Sequence, residues 1–198
     1  MSHETIRRAA PVASWQEPPG GILVWMIVGV ELLTFAAGLL VFQIHARDLP
    51  AEFAAGRQVL HERVAWVNTL ILLTGGLCMV RSVGALRGNQ PTHSVGWLGG
   101  ALGSGVAFLL IKGWEYAHLL RAGHGFGEDP FFTLYWMLTG FHALHVVIAL
   151  LLLGAMGLGI RRGLYTASQH EDVEASAVFW HLCDVIWLLV YPTVYLLR

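Results

Sequence analysis

Lys112, Glu115 and His118 stand three residues apart, so on a helix they share one side. His142 and His145 repeat that spacing, and Tyr135, Thr139, His142 and His145 make one polar stripe. His181 and Asp184 repeat it again, within a second stripe of Trp180, Asp184, Trp187, Tyr191 and Tyr195. Glu31 stands in the middle of an apolar run with no cation within one turn. Three chemistries are open to such a set. Two histidines on one face, a third opposite and a carboxylate to orient a ring suit a metal or haem site. Carboxylates spaced along apolar helices suit a proton path. The same groups also suit plain interhelical hydrogen bonding, with Lys112 neutralising Glu115. Cys78 and Cys183 belong to no ligand-spaced motif and read as buried inert thiols. No phosphate loop, His-Glu-x-x-His motif or nucleophile elbow is present.

These groups are embedded in an apolar chain. Of 198 residues, 56% are hydrophobic and only 13% charged, about half the share of ordinary soluble domains. With a formal net charge of −1 there is no basic field for nucleic acid. Eight Trp and five Tyr suit interfacial anchors. A membrane helix needs ~20 mostly apolar residues. Five stretches qualify, roughly 21–44, 64–86, 94–120, 131–160 and 175–197. The predicted fold is therefore all-α, a single membrane bundle of five transmembrane helices over 21–198. It is preceded by a polar tail over 1–20 that reads as mobile. The joints 45–63, 87–93, 121–130 and 161–174 read as short polar connections, none long enough for a further domain. The first apolar run is too long for a secretory signal and carries Glu31. Arg7, Arg8, Arg81, Arg87, Arg161 and Arg162 fall on one side of the membrane; Arg47, Arg57, Arg63, Arg121 and Arg198 fall on the other. This bias places the N-terminus inside. Gly75 with Gly76, and Gly96, Gly99, Gly100 and Gly103, are expected to let helix backbones approach and hold the bundle together.

At this point the stripes resemble a known family, subunit III of the haem-copper oxidases. Thr139-Gly140-Phe141-His142, then Leu144-His145-Val146, is similar to that family's fourth-span signature. Glu174-Ala175, Phe179-Trp180-His181 and Asp184-Val185, then Trp187-Leu188, resemble its last helix. Glu115-Tyr116, Asn68-Thr69 and Glu31-Leu32-Leu33 with Phe35 complete matches in all five spans. The resemblance is to a short, five-helix form without the two leading helices of longer relatives. Lys112-Gly113-Trp114-Glu115-Tyr116 and Asp129-Pro130-Phe131 look closer to the accessory branch found with nitric oxide reductases than to the terminal-oxidase branch.

The resemblance implies a subunit that is not catalytic alone and binds no haem or copper itself. It implies a large haem-bearing partner, of an oxidase or a nitric oxide reductase, which this chain stabilises in respiratory electron transport. It also implies bound phospholipid and support for proton delivery. Glu31 and Glu115 are assigned that proton-side or lipid role. Lys112, Thr139, His142, His145, Trp180, His181, Asp184 and Trp187 become interhelical or subunit-interface groups. The expected location is a bacterial inner membrane. A free-standing membrane cytochrome or metal protein, and a small proton channel or transporter, are the rival readings.

Overall fold

A computed structural model describes residues 20–197. The proposed tail over 1–20 lies, Gly20 apart, outside the described residues. The first helix, α1 (Gly21–Asp48), leads into a short α2 (Pro50–Val59). Four long helices follow: α3 (Glu62–Arg87), α4 (Pro91–Arg121), α5 (Pro130–Arg161) and α6 (Glu171–Tyr191), the last continued by a π-helical segment, Pro192–Leu196. Five of these helices are long and apolar enough to cross a membrane, α6 doing so together with its π-helical segment. The chain is a multi-pass, all-α membrane protein.

Two boundaries differ from the sequence reading. The joint over 45–63 is largely helical, because α1 runs on to Asp48 and α2 begins at Pro50. Proline suits the first turn of a helix, where its missing N–H is not needed. Phe53 and Gly56 give α2 a buried face against Phe42 and Phe131. The last span ends in a π-helical turn at Pro192, whose ring cannot continue the ordinary ladder.

The helix ends are set locally. Pro91 and Pro130 occupy first-turn positions of α4 and α5. The Asp129 carboxylate accepts from the Phe132 N–H at 2.7 Å, capping α5. Gly20 enters α1 with φ of 80°, and a Cβ there would strike the backbone of Ala175. That contact brings the start of α1 against the start of α6.

The sixth helix is the hub, packing against α1, α3 and α5, while α4 fills the far side between α3 and α5. Burial follows this order. More than half of the apolar window of α6, 56%, is buried, against 6% for α1. Ile22, Leu23, Met26, Val30 and Leu33 of α1 face outward. In water such a face would be untenable; in lipid it needs no cover.

The glycines divide. Gly75 lies against Ser104 and Trp180, Gly76 against Asp184, Gly100 against Cys78 and Gly105 against Leu150 and Trp180. These are close approaches of α3, α4 and α6. A Cβ on Gly96, Gly99 or Gly103 would meet nothing within 4 Å among the described residues, so there these glycines do not bring helices together as the sequence suggested. Their spacing along α4 turns them to its outer surface.

One exposed pair ties the near end, where α1 begins. Arg87 reaches Glu174 at 2.7 Å, and the same carboxylate oxygen meets His170 at 2.7 Å. The Arg87 side chain is 56% exposed, so this pair contributes at most ~1 kcal/mol.

Candidate functional site

The polar stripes of α4, α5 and α6 turn inward and meet in two clusters, one in the middle of the bundle and one toward the far end, where α1, α4 and α6 finish.

The far cluster centres on Lys112, which is 1% exposed. Its ammonium donates to Glu115 Oε2 at 3.1 Å, to the Tyr195 hydroxyl at 2.8 Å and to the Tyr135 hydroxyl at 3.2 Å. Tyr195 in turn donates to Glu115 Oε1 at 2.8 Å. Rings of Tyr116, Tyr135, Trp187 and Tyr195 surround the ammonium at 5.0 to 5.4 Å. Three polar donations and four aromatic faces therefore replace its hydration shell. The i,i+3 spacing on α4 brings the two charges together; α5 supplies Tyr135 and the π-helical turn supplies Tyr195. Spacing alone identified the Lys112–Glu115 pair. It did not reveal that Tyr135 and Tyr195 complete it, because they arrive from other helices.

A lattice of single contacts leads from this cluster to the middle. The Trp187 indole donates to Thr69 Oγ1 at 2.8 Å, and Thr69 donates to the Ala65 carbonyl. Asn68 donates to the Phe108 carbonyl at 3.2 Å. His142 stacks on Trp187 with ring centroids 5.1 Å apart and meets Phe108 edge-on. Thr139 bonds back to the Tyr135 carbonyl at 2.7 Å within its own helix.

The middle cluster joins α1, α5 and α6. Glu31 Oε2 lies 3.1 Å from His145 Nε2, a close polar approach without the alignment of a hydrogen bond. The other ring nitrogen of His145 faces the Phe141 carbonyl at 2.8 Å. Phe35 packs edge-on to His145, one turn along α1 from Glu31. His181 meets Asp184 at 3.2 Å on α6, and Asp184 sits over Gly76 of α3. Trp180, one turn away, fills the gap left by Gly75 and Gly105.

The three site histidines thus have different companions. His145 turns to Glu31, His181 to Asp184, and His142 lies among Trp187, Phe108 and Phe35. Among the described residues no three of His, Cys, Asp and Glu converge as a metal cage would require. Glu31 and Glu115 also part company. The Glu31 side chain is 22% exposed on the outer surface of the bundle, while Glu115 is sealed at 1%.

Residues 55–198 match the family model of cytochrome c oxidase subunit III. The chain is 30% identical over 178 residues to cytochrome c oxidase subunit 3 of Synechocystis sp., covering 89% of this chain and 74% of the relative. It is 29% identical to a cytochrome bo(3) ubiquinol oxidase subunit 3 of Pseudomonas aeruginosa, over 87% of this chain and 82% of the relative. It is also 29% identical to a heme-copper oxidase subunit I+III of Aeropyrum pernix, over 93% of this chain and 24% of that longer protein.

Proposed function

The chain belongs to the cytochrome c oxidase subunit III family, and from that premise we propose that it acts as a non-catalytic subunit of a respiratory terminal oxidase. In this reading the chain packs on a larger haem-bearing subunit in a bacterial inner membrane, N-terminus inside. Haem and copper belong to that partner. This chain contributes stability, phospholipid binding and a proton-side carboxylate. The name of the Aeropyrum pernix relative joins subunits I and III, which supports the partnership. The names of the relatives above, cytochrome c and ubiquinol oxidases, favour the terminal-oxidase branch over the nitric oxide reductase branch.

The observation that carries the finer reading is the unequal access of the two carboxylates. Lys112 and Tyr195 occupy Glu115 within a closed cluster, so its role is to hold α4, α5 and α6 together. Glu31 has a histidine on one side and the bundle surface on the other. A carboxyl so placed can meet lipid or water and exchange a proton with His145.

Glu31→Gln keeps the shape and removes the ionisable group. In the purified assembly it is expected to leave the optical spectrum unchanged while lowering sustained turnover severalfold, initial rate being less affected. His145→Ala should move turnover in the same direction. Wild-type endurance in Glu31→Gln would remove Glu31 from this role.

A further inference from the structure

At the far end of the bundle two histidines from different helices meet beside one tryptophan. His61 stands at the N-cap of α3, and His118 lies in the last turn of α4. Their ring centroids are 5.0 Å apart, at an interplanar angle of 51°. Trp114, one turn before His118 on α4, packs against both. Its ring lies 5.8 Å from that of His118 and 5.4 Å from that of His61. The indole wall thus holds the two imidazoles side by side.

Neither imidazole is tied to backbone. His45 and His145 each face the carbonyl four residues back on their own helix, and His118 does not. His61 occupies a cap position but makes no side-chain cap bond. Among the described residues neither ring has a hydrogen-bond or ion-pair partner, and His61 Nε2 is buried without one. A buried nitrogen left so is costly, and a ligand that completes it offsets the cost. The separation of the rings indicates which ligand. Two imidazoles on one tetrahedral zinc, at Zn–N distances of ~2.0–2.1 Å, hold their ring centroids about 5 Å apart.

We propose that His61 and His118 chelate one Zn2+ ion at the end of the membrane-spanning segments, with water completing its shell. No third His, Cys, Asp or Glu joins the pair among the described residues, so the remaining positions are open. Neutral imidazole suits zinc, whereas Mg2+ and Ca2+ prefer oxygen ligands. The exposed His118 ring gives the ion a way in. Once bound, the ion joins the start of α3 to the end of α4. The site is separate from His142, His145 and His181, whose companions lie inside the bundle. It needs no assumption about the partner subunit.

The test uses the full chain with any partner that copurifies, washed with chelator and titrated with Zn2+ alone. Diethyl pyrocarbonate, which acylates free imidazole, is then applied, and the modified histidines are mapped by mass spectrometry. His118 is the reporter, being exposed, and neither histidine belongs to the buried core, so both variants should fold. Zn2+ should protect His118 in the wild type. In His61→Ala the zinc concentration for half-protection should rise about a hundredfold, the worth of a second tethered ligand. Thermal unfolding gives an independent reading, in which zinc should raise the wild-type Tm by more than that of His118→Ala. Mg2+ at the same concentration should protect nothing. Equal half-protection of His118 in the wild type and His61→Ala overturns the proposal, as do equal rises in Tm or protection by Mg2+. Protection of every exposed histidine at one zinc concentration would mean adventitious metal only, and overturns it as well.

Discussion

Lys112→Met is expected to destabilise the chain by about 3–5 kcal/mol, the cost of leaving a buried carboxylate without its counter-charge. Glu115 would keep the Tyr195 hydroxyl, and Tyr135 would lose the Lys112 donor and keep only the long contact from the Tyr195 hydroxyl at 3.5 Å. Thermal unfolding in mild detergent, followed by circular dichroism, reads the effect. Removing both charges together, Lys112→Met with Glu115→Gln, should recover a large part of the loss. Replacing a whole buried ion pair costs far less than breaking one. The coupling between the two substitutions is therefore the informative quantity. Additive losses would mean that the two charges do not act as a pair. High salt should leave the wild-type contribution of this pair intact, since no ion reaches it, and should weaken the exposed Arg87–Glu174 contact.

A second large effect is expected where α3, α4 and α6 approach most closely. A side chain at Gly75 would occupy the space of Ser104 Oγ and the Trp180 ring. Trp180 cannot retreat, being 1% exposed and held in the core. Overpacking of a filled core costs ~1–3 kcal/mol and sometimes more. Gly75→Leu should lie at or above the top of that range, with loss of folded protein after extraction. Gly103→Leu is the control, because open space surrounds Gly103. It should change the stability of the isolated chain by less than ~0.5 kcal/mol. Equal loss in the two variants would contradict this account of how the glycines divide.

Much of this architecture is legible in the sequence, for a physical reason. Hydrocarbon demands long apolar runs, and each ionisable residue within them stands out against that background. Lys112, Glu115, Glu31 and Asp184 are conspicuous in this way, and the i,i+3 rule joins Lys112 to Glu115 and His181 to Asp184. Pairing between helices leaves no such trace. Nothing near Glu31 announces His145, and nothing near Lys112 announces Tyr195. The short α2 was hidden because a ten-residue helix with Arg57 and Gln58 has the composition of a polar joint. Its apolar face is only Phe53 and the gap at Gly56, too little for periodicity to reveal. The glycines mislead for a related reason. Small residues at helical spacing mark a surface where something can approach, and the sequence does not say which helix, or whether any, is there.

The chain belongs to the cytochrome c oxidase subunit III family, and the role proposed for it is to support a larger subunit. The most direct measurement is purification of the tagged full chain from its native membranes in mild detergent. Its partners are identified by mass spectrometry and an optical spectrum is taken of the eluate. The account predicts a large haem-copper oxidase subunit in the eluate, with its haem absorbance. A nitric oxide reductase large subunit would move the chain to that branch. A chain that elutes alone, folded and colourless would contradict the account; one that elutes alone with haem would make the histidines ligands.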